Sequence, residues 1–183
     1  MSYKLGHLSG DQWIEHSYPP QFKLVSGAGR ERLMLGVPGG DSTVLERLLS
    51  CLSPPYFFLY VLHTPRGEAD PGRYQSPSLE HDALVQFLKR FSDLLSKDAR
   101  HDSWIHSPNA NATLVWDRHN LIHAYGPLDC FETALRALGF AEGTVDIPDP
   151  HQHNYRVEFD EDAKALMEAL DWHRTPLQPQ DEQ

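Results

Sequence analysis

A chain of 183 residues, 40% hydrophobic and 10% aromatic, has the length of one domain and can bury roughly 70% of its unfolded surface. No stretch approaches the roughly 18 to 20 apolar residues that span a bilayer; the longest unbroken apolar run is Tyr56 to Leu62. The formal charge of −10 lies mostly beyond residue 140, which argues against a nucleic-acid binder, since that needs a basic footprint, and leaves room for a basic protein partner.

The opening MSYKLGHLSGDQW has no basic region followed by an apolar stretch, so no secretory signal is expected and the protein is placed in the cytoplasm. FKLV (22 to 25) and RLMLGV (32 to 37) are expected to pair as a hairpin across a Gly-rich turn. VPGGDST (37 to 43) is similar to the SGGxDS loop of ATP pyrophosphatases, but Pro38 stands in place of the serine and no residue separates Gly40 from Asp41. A strand-to-helix turn of this kind could receive an anion on its backbone amides. A helix follows, with Val44, Leu45, Leu48, Leu49 and Leu52 at helical spacing.

YFFLYVLH (56 to 63) is apolar on both faces and reads as a central strand covered on two sides. The Pro- and Gly-rich loop TPRGEADPGRYQSP (64 to 77) is long enough to be functional. Ser76 and Pro77 suit the start of a helix burying Leu84, Phe87, Leu88, Phe91, Leu94 and Leu95. SWIHS, ATLVWD and LIHAY read as strands, the last two joined by a tight turn at Arg118 to Asn120. A two-residue turn would put Leu114, Trp116, Leu121, His123 and Tyr125 on one face. A helix over 128 to 138 should end at Gly139, HNYRVEF should form a strand, and Asp160 should start a helix burying Ala163, Leu166, Met167 and Leu170.

The order is mixed, so the expected class is α+β: a single domain over 1 to 173, with a mixed or mainly antiparallel sheet, about four helices packed on it, and a flexible tail over 174 to 183. Phe58, Leu88, Phe91, Leu135 and Leu166 should be nearly fully buried.

Three groups of residues are candidates for function. In PDPHQHNYRVEF (148 to 159), strand alternation places His151, His153, Tyr155, Val157 and Phe159 on one face and Gln152, Asn154, Arg156 and Glu158 on the other. Two imidazoles spaced i, i+2 on a strand can converge on one zinc ion, and a catalytic site needs a third protein ligand and an open position. His63 and His106 are the expected third ligands, with His123 a further option. The chain's 11 histidines are dispersed, and backbone hydrogen bonding explains an isolated pair equally well.

The second group is the arginine-bearing loop, with Arg66 and Arg73, and the aromatic residues Tyr74, Trp104, Trp116 and Tyr155, a composition typical of ligand and partner contacts. The third is cysteine. Cys51 reads as a small buried hydrophobe, and Cys130, at a helix start, as a thiol that His123 could activate; no disulfide framework is expected. Two functions follow: a non-catalytic binding protein holding a protein or small ligand, as an acidic inhibitor or immunity-type protein would, or a metal-dependent hydrolase built on His151 and His153. The first needs no cofactor, and the second needs zinc.

Overall fold

The computed structural model describes residues 3–27 and 29–182. Among these residues, twelve strands and five α-helices make one α+β fold. The strands are β1 (Leu5–Ser9), β2 (Gln12–Glu15), β3 (Gln21–Val25), β4 (Arg32–Gly36), β5 (Phe57–Leu62), β6 (Gly72–Gln75), β7 (His101–Ser107), β8 (Ala112–Trp116), β9 (Leu121–Tyr125), β10 (Ala141–Glu142), β11 (His151–His153) and β12 (His173–Thr175). The helices are α1 (Thr43–Leu49), α2 (His81–Arg90), α3 (Ser92–Lys97), α4 (Leu128–Ala137) and α5 (Asp160–Glu168). Nine strands form one sheet in the order β10-β3-β4-β9-β8-β7-β5-β6-β12, antiparallel except where β10 runs parallel to β3. The other three form a small antiparallel sheet, β11-β1-β2.

Alternation along each strand gives the large sheet two unlike faces. On one, Leu33, Leu35, Phe58, Tyr60, Leu62, Ile105, Leu114, Trp116, Ile122 and Ala124 meet the apolar sides of all five helices in a single core. Phe58, Leu135 and Leu166 are fully excluded from solvent there, and Leu88 and Phe91 nearly so, as their spacing predicts. The other face presents Arg32 and Met34 of β4, His123 and Tyr125 of β9, Val115 of β8 and Trp104 of β7 around an open cavity. The small sheet sits at one end of this face, where Leu5 and Tyr18 pack on Leu121, Val145 and Met34. Gly36 is required at this junction: a Cβ there would lie 2.2 Å from the Tyr18 ring.

Several expectations are corrected by tertiary packing. β5 is covered on both sides only toward its end: Val61 is buried, but Phe57 and Leu59 on the same face look onto the open side and are half-buried. The long helix starts later, at His81, and breaks at Phe91 (φ −106°, ψ 16°) into α2 and α3. Ser76 does not cap it but accepts the Phe58 amide hydrogen bond at 2.9 Å. The β8–β9 register pairs Trp116 with Ile122, and the Asp117 amide donates to the Leu121 carbonyl at 2.9 Å, so the turn has three residues, 118 to 120, instead of two; Leu114 and Trp116 share the helix side with Ile122 and Ala124, while Leu121, His123 and Tyr125 face the opposite way. The strand in HNYRVEF ends at His153, and Val157–Phe159 is a 3-10 turn. In the segment read as a flexible tail, β12 pairs with β6, and Asp181 is buried against Arg73.

Cys51 and Cys130 form a disulfide that ties the end of α1 to the start of α4, with Cα atoms 5.9 Å apart. Neither is a free thiol, and the Cys130–His123 pair is not a nucleophile and base.

Candidate metal centre

The β8–β9 loop Asp117-Arg118-His119-Asn120 is held at every residue. One Asp117 carboxylate oxygen accepts the amides of His119 and Leu121, both at 2.9 Å, the side chain folding back on its own loop as aspartate does in tight turns. Asn120 adopts a left-handed conformation (φ 64°) that asparagine tolerates better than most residues. Its buried side chain accepts the Trp116 indole hydrogen bond at 2.8 Å and donates to the Val37 carbonyl at 3.2 Å. The Arg118 amide donates to Asp102 at 2.7 Å. The His119 carbonyl accepts the Tyr18 hydroxyl at 3.1 Å, and the buried Lys4 ammonium donates to the Asp117 carbonyl at 3.1 Å. His119 is therefore carried on a rigid turn.

β11 brings the other two histidines to it. Its pairing with β1 sets Leu5 opposite His153 and His7 opposite His151, so both imidazoles point to the side on which Leu5 packs while Gln152 is exposed, the alternation expected of the strand. The rings of His119, His151 and His153 form a triangle with centroid separations of 5.4, 4.8 and 5.4 Å. One ring nitrogen of each lies within 4.8 Å of the other two. Zinc–nitrogen bonds of about 2.0–2.1 Å in tetrahedral geometry need nitrogens roughly 3.4 Å apart, so the rings would draw together around an ion.

The hydrogen bonds of the three rings select which nitrogens are free. His151 Nδ1 donates to the Pro148 carbonyl at 3.0 Å, since a carbonyl can only accept; this leaves Nε2 with its lone pair. His119 Nδ1 faces Asp117 Oδ2 at 3.5 Å, which likewise directs Nε2 outward. His153 Nε2 is buried and has no hydrogen-bond partner, and an orphaned buried imidazole nitrogen is costly unless something else occupies its lone pair. Burial, reinforced by His119, Arg118 and His151, lowers the His153 pKa to about 4, so the ring is neutral, as a ligand must be.

Asp117 lies behind the imidazoles of His119 and His123, at 3.5 and 3.2 Å. Burial alone would raise its pKa, but the imidazoles of His119 and His123 hold it well below the ordinary carboxylate range. Arg32 Nε donates to His123 Nδ1 at 3.2 Å. Arginine only donates, so His123 carries its proton on Nε2 and gives it to Asp117 Oδ2 at 3.2 Å. A hydrogen-bonded line thus runs from Arg32 on the open face through His123 and Asp117 to His119.

The expected third ligands lie elsewhere. His63 Nε2 is 2.9 Å from Asp102, His106 is exposed and bonded to Thr113 at 3.0 Å, and among the described residues neither joins the cluster. His119 is the third histidine of the cluster. Its signal in the sequence is a histidine between two turn-forming residues, Asp117 and Asn120, of a hairpin.

The six residues proposed for ligand contact are scattered. Trp116 and Tyr74 belong to the core. Arg66 pairs with Asp160 at 2.9 Å, beside a buried network in which Arg100 meets Asp98 at 2.9 Å, Glu68 at 3.2 Å and Asp160 at 3.0 Å; the 64-to-77 loop is thereby tied to the domain. Arg73 pairs with Asp181 and lies 5.3 Å over the Trp104 ring, and Trp104 lines the open cavity. Tyr155 is exposed, its ring 6.4 Å from that of His153. In the VPGGDST turn the Gly39 amide donates to Ser17 Oγ at 2.8 Å. Among the described residues, no helix is long and apolar enough to cross a membrane. Comparison with protein-family models, with curated proteins and with solved structures finds no match to this chain.

Proposed function

We propose that the protein binds a zinc-type divalent ion through His119, His151 and His153 and presents it at the rim of the open sheet face. The orphaned, buried Nε2 of His153, facing two other imidazoles whose Nδ1 atoms are already engaged, carries this reading. Three histidines backed by a carboxylate are the donor set of a site that keeps one coordination position open, and a bound zinc there supplies Lewis acidity. The arrangement favours the metal-dependent hydrolase over the purely non-catalytic binder, with His119 replacing His63 and His106 as third ligand.

Calorimetric titration of the untagged protein with zinc tests it. One ion should bind per chain, and His119→Ala should remove that binding while circular dichroism stays unchanged. Undiminished binding by His119→Ala would refute the assignment. The ligand-holding reading keeps one specific support: the same open face offers a cavity of about 770 Å³, inside the range of small-molecule sites.

The disulfide bears on location. Bridged cysteines persist in oxidising compartments, so this reading places the working protein there rather than in the cytoplasm. Thiol counting on protein taken from its natural source should find none free.

A further inference from the structure

We propose that the cavity on the open sheet face binds a small organic carboxylate with a planar apolar body, its carboxylate held by Arg32 and Arg30. The walls account for their own charges in an uneven way. Each acid lining the cavity already has a side-chain partner: Asp146 pairs with Lys23, Asp181 with Arg73, Asp102 with the His63 imidazole, and Asp117 with the imidazoles of His119 and His123. Among the described residues, Arg30 and Arg32 meet no carboxylate.

Arg32 is half-buried and fixed in place. Its Nε donates to His123, its guanidinium carbon lies 5.7 Å over the Tyr125 ring, and its two terminal nitrogens have no hydrogen-bond partner among the described residues. That leaves the pair of parallel donors that receives a carboxylate in bidentate fashion. Arg30 spends one nitrogen on the Asn111 carbonyl at 2.7 Å and keeps the rest. The floor beneath them is Met34, Val115, Tyr125 and Trp104, apolar and aromatic surface that suits a flat hydrocarbon body rather than an inorganic anion. In a chain of net charge −10, two arginines without acidic partners over such a floor specify a ligand that brings its own negative charge.

The anchor is independent of any metal. Only the fate of the ligand's far end, which the cavity directs along the sheet toward His119, rests on the metal reading.

The test uses the full-length untagged protein after chelator treatment, titrated with 2-naphthoate and with hexanoate by calorimetry, with the neutral 2-naphthalenemethanol as control. At least one carboxylate should bind saturably at one per chain, and the alcohol should bind at least about tenfold more weakly, the loss expected for a charge-assisted hydrogen bond. The double variant Arg30→Gln, Arg32→Gln should lose a similar factor while retaining the circular dichroism spectrum. Equal affinity for the alcohol, undiminished affinity in the double variant, or no saturable binding of either carboxylate would overturn the proposal. Zinc titration of the same preparation reports on the metal centre separately, because the anion arm contains no metal.

Discussion

The two faces of the nine-stranded sheet are made from alternate residues of the same strands, yet they obey different rules. On the helix side the large side chains are mostly apolar and sealed: Leu35, Phe58, Tyr60, Leu62, Leu114 and Ile122 are all fully excluded from solvent. On the open side the neighbours of those residues are Arg32, Met34, His123, Tyr125, Trp104 and Phe57, and they are mostly half-buried. The first face holds the apolar core; the second lines the open cavity. Substitutions at adjacent positions of one strand should therefore differ in kind.

The largest difference is expected on β5. Phe58→Ala removes a ring packed against Phe87 at 5.0 Å and should cost about 3–5 kcal/mol, whereas Phe57→Ala on the open side should cost less than half as much. Chemical denaturation of the two variants measures this, and equal losses would mean that the open face is covered.

A similar loss should follow from Asp98→Ala. The carboxylate is fully buried, takes two hydrogen bonds from Arg100 at 2.9 and 3.0 Å and accepts the Arg156 amide at 2.8 Å. Its removal leaves the Arg100 cation buried with fewer partners, which costs roughly 3–5 kcal/mol in comparable sites. The same truncation at Asp70, exposed and 3.8 Å from Arg174, should be nearly neutral.

Reduction of Cys51–Cys130 should come next, lowering stability by roughly 2–4 kcal/mol because the bridge closes a long loop. Thermal melts with and without a reducing agent report it, and no change would mean that the pair is not bridged in solution.

The smallest effect is one of pH. His101, fully buried and stacked on Tyr60 at 4.6 Å, has its pKa pushed well below 6.5 by burial, with Lys4, Arg100 and His63 adding to it; His153 is lowered to about 4 for the same leading reason. The folded chain therefore takes up fewer protons than the unfolded one below pH 6.5, so stability is full above that pH and falls as pH drops through it. His101→Phe should flatten that slope in pH-dependent denaturation; an unchanged slope would assign the acid sensitivity elsewhere.

The helix-side core was legible because periodicity reports burial directly. The positions of Phe58, Leu88, Phe91, Leu135 and Leu166 follow from spacing alone. The His151–His153 pair was legible for a like reason, since alternation fixes the face on which a strand residue lies. His119 was not, because its position depends on a loop length: three residues instead of two between the paired Asp117 and Leu121 reverse the faces of β9 relative to β8. The disulfide was hidden as well, since 79 residues separate its halves and only the packing of α1 on α4 brings them together. The charged loop read as a binding surface for Arg66 and Arg73 because composition alone cannot show that Asp160 and Asp181, about a hundred residues further on, are their partners.

The central claim is that three histidines from two distant segments hold one ion. Anomalous diffraction at the zinc edge, from crystals grown with zinc, addresses it directly. The account predicts a single strong peak about 2.0–2.1 Å from Nε2 of His119, His151 and His153, with Asp117 still bonded to the far side of the His119 ring. A peak coordinated by other histidines, or none at this cluster at saturating zinc, would contradict it.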